Sequence, residues 1–252
     1  LGYGKAIFDL TEGNYGSAIG TGLGTYLIPT LGPLAPVIGS TLGGLVDGMF
    51  GGGTDDYGAA ARYSGGELSD SGKAYTYKVL TQSYAEGLQK PMDDLAKMVG
   101  GSLDGLSTMF GGKSGYSVTT GFTSDNDDPS RGIFIVQNPE GEDLKKWLHY
   151  RSGEFGQRAT GYSYAKDPKQ GYDDYLKSVT AATIPIFKDI VPDWADSMLD
   201  SLSSSLGLTG KKGDWKNIKS GSEAMQALQQ VLQQIALTEQ GFNQLGQTMS
   251  MF

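Results

Sequence analysis

The chain has 252 residues, of which 39 are glycine and none is cysteine, and its 28 acidic and 20 basic side chains give a formal net charge of −8. This length suits one large domain or two small ones. The acidic balance repels a phosphate backbone and argues against nucleic-acid binding along the chain, although it suits a channel wall past which DNA slides. The lack of cysteine removes disulfides and thiolate ligands.

A long segment near the N-terminus, residues 13–46, carries no charged side chain and lies between Glu12 and Asp47. Prolines interrupt it, and proline inside a helix removes a hydrogen bond and clashes with the preceding turn. We therefore predict a hairpin of two short helices, 15–28 and 37–50, joined by a proline turn. Each arm of about 14 residues rises about 21 Å, less than the roughly 30 Å hydrocarbon core of a bilayer.

Glycines recur at four-residue spacing along both predicted arms, which lets helix backbones approach closely. A membrane-inserting hairpin and a tightly packed hairpin of a soluble protein share this pattern, so both interpretations stay open. The residues that define the hairpin, and that we expect to face a membrane or the lumen of a protein channel, are Gly16, Gly20, Gly24, Pro29, Pro33, Pro36, Gly39, Gly43, Gly44 and Gly48.

The spacing of apolar residues changes in the middle of the chain. Over residues 73–109 apolar side chains recur every three, four or seven positions, which predicts amphipathic helix, divided by Pro91 and by the glycine pair 100–101. Over 114–165, β-branched and aromatic runs alternate with turn sequences, which predicts a small antiparallel sheet. Its predicted strands are 116–123, 132–137, 147–150 and 154–164. The third run could instead end a short helix that begins near Glu142.

The C-terminal part is helical again. A short helix is predicted at 172–180, a second begins at Pro192 with Asp193, and a glutamine-rich helix opens at Ser222. Apolar residues of this last helix fit a heptad and form a candidate oligomer seam, although packing against its own domain explains the same spacing. The seam residues are Met225, Leu228, Leu232, Ile235, Phe242 and Met249.

Together these elements predict an α+β fold that is mainly helical and extended rather than one compact globule. Four regions follow from the composition. They are an apolar glycine-rich hairpin (1–53), an amphipathic helical segment (54–113), a small antiparallel sheet (114–170) and C-terminal helices (171–252).

The sequence offers little material for catalysis. His149 is the single histidine, and neither an HExxH pair nor a GxSxG elbow is present. We therefore predict no enzyme, and no catalytic, metal or cofactor site. Carboxylate pairs for glycoside hydrolysis meet only in the fold, so spacing alone does not exclude them. The candidates for such a pair are Glu140, Glu142, Asp143 and Glu154.

The order of these features resembles the C-terminal region of tail tape measure proteins from long-tailed bacteriophages. The resemblance rests on SAIGTGLGTYLIPTLGPLAPVIGSTLGGLVDGMFGGG, followed by FTSDNDDPSRG and the final QTMSMF. It implies the end of a longer chain that sets tail length, lies in the tail lumen and tip, and leaves the virion to help DNA cross the host envelope. Implied partners are tail tube, distal tail and tip hub proteins, in a homotrimer that contacts the host membrane and passes DNA without sequence-specific binding.

Two other classes of function remain as alternatives. A secreted pore-forming or bacteriocin-like toxin would use the same apolar hairpin to enter a target membrane, although the predicted arms are short for a span. A phage-borne cell-wall hydrolase would place paired carboxylates in the predicted sheet region.

Overall fold

The computed structural model describes residues 56–69, 82–125, 130–147 and 164–250. These residues form an α+β fold with four helices and a five-stranded antiparallel sheet. The predicted hairpin and its ten glycines and prolines lie outside the described residues.

The sheet has the strand order β2-β1-β3-β4-β5. Its strands are β1 (Asp56–Ser64), β2 (Glu67–Ser69), β3 (Ser117–Asp125), β4 (Arg131–Gln137) and β5 (Asp143–Trp147). Alternation of β-branched and aromatic residues predicted β3 and β4, and the structure confirms them. The third predicted run, 147–150, overlaps the described residues only at Trp147, which ends strand β5, and β5 begins at Asp143, where the alternative expected a helix from near Glu142. The fourth run falls almost wholly outside the described residues.

Strands β1 and β2 were not predicted and lie in the region assigned to amphipathic helix. The run Ala59–Ala61 in β1 favours helix by intrinsic propensity. Here it forms a strand because small side chains let neighbouring elements approach it, and all three alanines are buried. Tertiary packing thus overrides local preference, and the sheet begins near residue 56 instead of 114.

The helices are α1 (Gln82–Met109), α2 (Pro168–Lys188), α3 (Asp193–Ser205) and α4 (Gly221–Met249), with a short 3-10 helix at Asp214–Asn217. The predicted starts of α3 and α4 are confirmed to within a residue or two. Asp167 caps α2 by accepting a hydrogen bond from the Gln170 backbone N–H at 2.8 Å, and Pro168 occupies the first turn. The predicted short helix at 172–180 is therefore longer at both ends.

Helix α1 is continuous, so the predicted breaks at Pro91 and at the glycine pair were wrong. Gly100 serves packing instead, because a Cβ at this position would overlap the ring of Tyr63 on β1. The Tyr63 hydroxyl donates a 2.9 Å hydrogen bond to Asp104, one turn further along α1. Burial, and then this bond to a carboxylate, raise the pKa of Tyr63 to about 12.

Helix α2 crosses the same face of the sheet through Tyr175. Its ring lies over Gly132 of β4, where any side chain would overlap it. The buried hydroxyl donates to the Ile133 carbonyl at 2.9 Å and accepts from the Gly121 N–H at 3.2 Å. One side chain therefore joins α2 to both β3 and β4.

Sheet and helices share a single hydrophobic core that runs from Ala59 on β1 to Ala236 on α4. The predicted extended shape is therefore wrong for the described part of the chain. Several glycines of this part lie at the contacts between elements and allow close packing.

Replacing Gly100 with alanine tests this role. The added methyl group would press on the Tyr63 ring, and overpacking of this kind lowers the free energy of unfolding by about 1–3 kcal/mol. Urea denaturation followed by circular dichroism would measure the loss. The control is Gly246→Ala, which has no atom near its added methyl group and should gain up to about 1 kcal/mol of helix propensity. Equal effects of both substitutions would contradict the packing role.

Candidate functional site: the projecting end of the last helix

Helix α4 is anchored at its N-terminus by an ion pair on α2. The Gly221 N–H donates to Asp173 at 2.7 Å, and Lys177 binds Asp173 at 2.9 Å and Asp174 at 3.2 Å. A carboxylate at a helix N-terminus also interacts favourably with the helix dipole. Burial alone would lower the pKa of Lys177, but the two aspartates outweigh it and hold that pKa above its ordinary value.

The first half of α4 belongs to the core. Four of the six candidate seam residues, Met225, Leu228, Leu232 and Ile235, are at most 1% exposed and pack within the chain. They are therefore covered by the chain's own elements. The apolar spacing in this half serves the fold of a single chain.

The second half of α4 leaves the core, and from residue 242 to 250 every residue is exposed. Phe242 is 53% exposed and Met249 is 77% exposed, and Leu245 between them is 63% exposed. These three side chains, spaced by three and four residues, lie on one face of the helix. We call them the terminal stripe.

The terminal stripe is continuous with an aromatic cluster at the surface of the body. The Trp194 ring of α3 meets the Phe242 ring edge-on at 5.6 Å, and the Phe110 ring lies 6.3 Å from Trp194. Both aromatic residues of the body are half-buried. Phe242 is thus held in place by the body, while Leu245 and Met249 extend the apolar surface outward by about 10 Å at 1.5 Å per residue.

Charge is nearly absent from this helix end. Glu239 is the only charged residue after Glu223 in a chain whose net charge is −8. A neutral apolar stripe can meet a second copy of itself without the like-charge repulsion that the rest of the surface would impose. The stripe thus presents apolar side chains without a charged group among them.

Sequence reasoning placed Phe242 and Met249 in a seam but missed Leu245 and Trp194. The heptad spacing of the seam puts Gly246 between Phe242 and Met249, and Gly246 has no side chain to contribute. Leu245, three residues after Phe242 and four before Met249, takes that place in the stripe. Trp194 comes from a different helix, so no periodicity within α4 could have found it.

Three of the four candidate hydrolase carboxylates lie in and beside the turn between β4 and β5. Glu140 binds Lys113 at 2.7 Å, and Asp143 accepts from Gln137 and binds Lys146 at 3.0 Å. These hydrogen bonds lower the pKa of both carboxyl groups. A general acid for glycoside hydrolysis needs the opposite shift. Glu142 is exposed and bonded to Asn138, and Glu154 lies outside the described residues.

Two further surveys cover the described residues only. Within them, no cluster of three or more histidine or acidic side chains is arranged to hold a metal ion. None of the helices in the same ranges combines the length and the apolarity that crossing a membrane requires.

The division of α4 predicts different effects of substitutions in its two halves. Replacing Leu245 and Met249 together with glutamine, a good helix former, should change the free energy of unfolding by no more than about 0.5 kcal/mol. Leu228→Ala in the buried half should lower it by about 2–5 kcal/mol. Urea titration of both variants measures the difference. A large loss in the double variant would show that the stripe serves folding.

Comparison of the chain with known protein families, with curated proteins and with solved structures found no match.

Proposed function

We propose that the chain is the C-terminal part of a phage tail tape measure protein. As part of a longer chain it sets tail length, occupies the tail lumen and tip, and leaves the virion to help DNA cross the host envelope. The observation that carries this proposal is the order of features: an uncharged glycine- and proline-rich segment, then a folded domain that ends in a projecting neutral helix.

The uncharged segment supplies the membrane or lumen function in this proposal. Residues 13–50 form the apolar hairpin, which is stored away from water in the tail and meets the host membrane after ejection. Residues 13–46 of this hairpin carry no charge, which removes the main barrier to entering a hydrocarbon phase, where each charged side chain costs about 2.5–3.5 kcal/mol. The long chain to which it belongs is extended in the tube, whereas the domain that follows is compact.

The terminal stripe supplies the contact with partners. Three copies at the tail tip would bring three neutral helix ends together, and their apolar residues would be removed from water in a homotrimer or against a hub protein. Burial of about 100 Å² of apolar surface would contribute about 2.5 kcal/mol. The acidic remainder of the surface suits passage of DNA without binding.

The location of the chain tests this proposal against a toxin or a hydrolase. Antibodies against residues 164–250 should detect the chain in purified virions of the virus that encodes it, at a few copies per particle, with gold label at the distal end of the tail. Antibodies against a capsid protein provide the control for label position. Detection only in the medium as free protein would favour a secreted toxin.

Flotation with liposomes tests the membrane function of the segment. The intact chain should float with vesicles of phosphatidylethanolamine and phosphatidylglycerol, and a chain without residues 13–50 should stay in the dense fraction. The control is the double Leu245→Gln and Met249→Gln variant, which keeps the segment and should float as the intact chain does. Equal flotation of the intact and shortened chains would remove the membrane function from this segment.

A further inference from the structure

The second face of the sheet carries apolar residues that point away from the helices. Register places Ala60, Gly121 and Ile133 side by side in one row across β1, β3 and β4. The next row holds Arg62, Thr119 and Ile135, and the Arg62 side chain donates to the Ser117 hydroxyl on the same face. Side chains alternate between the faces of a strand. The neighbouring residues on the other face make the helix contacts, since the Thr120 hydroxyl donates to the Met92 carbonyl of α1 at 2.8 Å. We call the second face the outer face.

The outer face is buried although no described helix packs on it. Ala60 is 1% exposed, Thr119 and Ile133 are 4% exposed, and Ile135 is 7% exposed. Ala60, Ile133 and Ile135 nevertheless stand apart from the core that the sheet shares with the helices. Their burial is therefore not explained by that core.

We propose that the uncharged segment, residues 13–46, docks on the outer face. The other stretches of nine or more residues outside the described elements are residues 1–12, 47–55, 70–81 and 148–163. Each carries charged side chains, among them Lys5, Asp47, Lys73 and Arg151. Burying such a charge without a partner costs several kcal/mol, whereas the segment has no charge to bury.

The connection and the shape of the two surfaces support this occupant. Residues 47–55 lead from the segment to the start of β1 at Asp56. These residues span at most about 30 Å, which is also the length of a nine-residue strand, so the segment can fold back over the sheet. Ala60 and Gly121 leave the centre of the outer face flat, which lets a glycine-rich backbone approach closely. The inference concerns the fold and does not depend on the proposed phage function.

Thiol labelling tests the inference, because the chain contains no cysteine. Thr119 and Thr120 are buried neighbours of the same residue type on opposite faces of β3. Each is replaced with cysteine in the intact chain and in a chain without residues 13–46. Cys placed at 119 should react with a maleimide at least ten times faster in the shortened chain. At 120, which α1 covers, the rate should not change. Unchanged labelling at 119 would overturn the proposal.

A second variant keeps the test decisive if the shortened chain loses its cooperative urea transition. Ile28→Lys and Val37→Lys in the intact chain place two charges in the segment and leave the described domain unaltered. Labelling at 119 should again rise at least tenfold, and labelling at 120 should not. A labelling rate at position 119 equal to that in the chain with the unmodified segment would overturn the proposal. So would protection at 119 that grows with protein concentration, because it would identify a second copy as the cover.

Discussion

Close contact between tyrosine rings and glycine backbone is the constraint on which this fold depends. The Tyr175 ring fills the space that a side chain at Gly132 would need, and the Tyr63 ring does the same at Gly100. At each contact the helix packs closer to the sheet than it could if the glycine were replaced by a residue with a side chain. The Tyr175 hydroxyl then bonds to backbone groups of β3 and β4, so a buried polar group is satisfied where it would otherwise destabilise the core.

Placement of α2 against the sheet determines where α4 begins. Gly221 lies so close to α2 that a Cβ would overlap the Asp173 carbonyl, and its N–H bonds to the Asp173 side chain. From this fixed start the helix runs along the core and then past its edge. The exposure of Phe242, Leu245 and Met249 is thus a consequence of helix length, because α4 continues for about two turns after the body ends.

Local patterns predicted the elements that depend on local chemistry. Alternating β-branched residues identified β3 and β4, and the sequences at Pro192 and Ser222 marked the starts of α3 and α4 to within a residue or two. Strand β1 escaped prediction because its alanine run favours helix, whereas pairing with β3 and packing against α1, which the sequence does not show, make it a strand. The glycine pair in α1 was interpreted as a break because the sequence does not show that Tyr63 lies opposite Gly100.

The candidate site could be predicted only in part, for a related reason. Apolar residues at helical spacing are needed both inside a core and in a seam between chains, so Leu228 and Phe242 give the same signal in sequence. What separates them is the point where α4 passes the edge of the body, a property of the whole fold. Trp194 belongs to the site through α3, which no pattern within α4 could reveal.

Charge distribution connects the two apolar features of the chain. Residues 13–46 carry no charge, and neither do residues 240–252, so most of the 28 acidic and 20 basic side chains lie between them. Like charge on this middle part opposes association of copies through the body and leaves association to the neutral parts. The terminal stripe is exposed for such contact. If the uncharged segment docks on the outer face as proposed, the chain keeps one apolar surface covered while it presents the other.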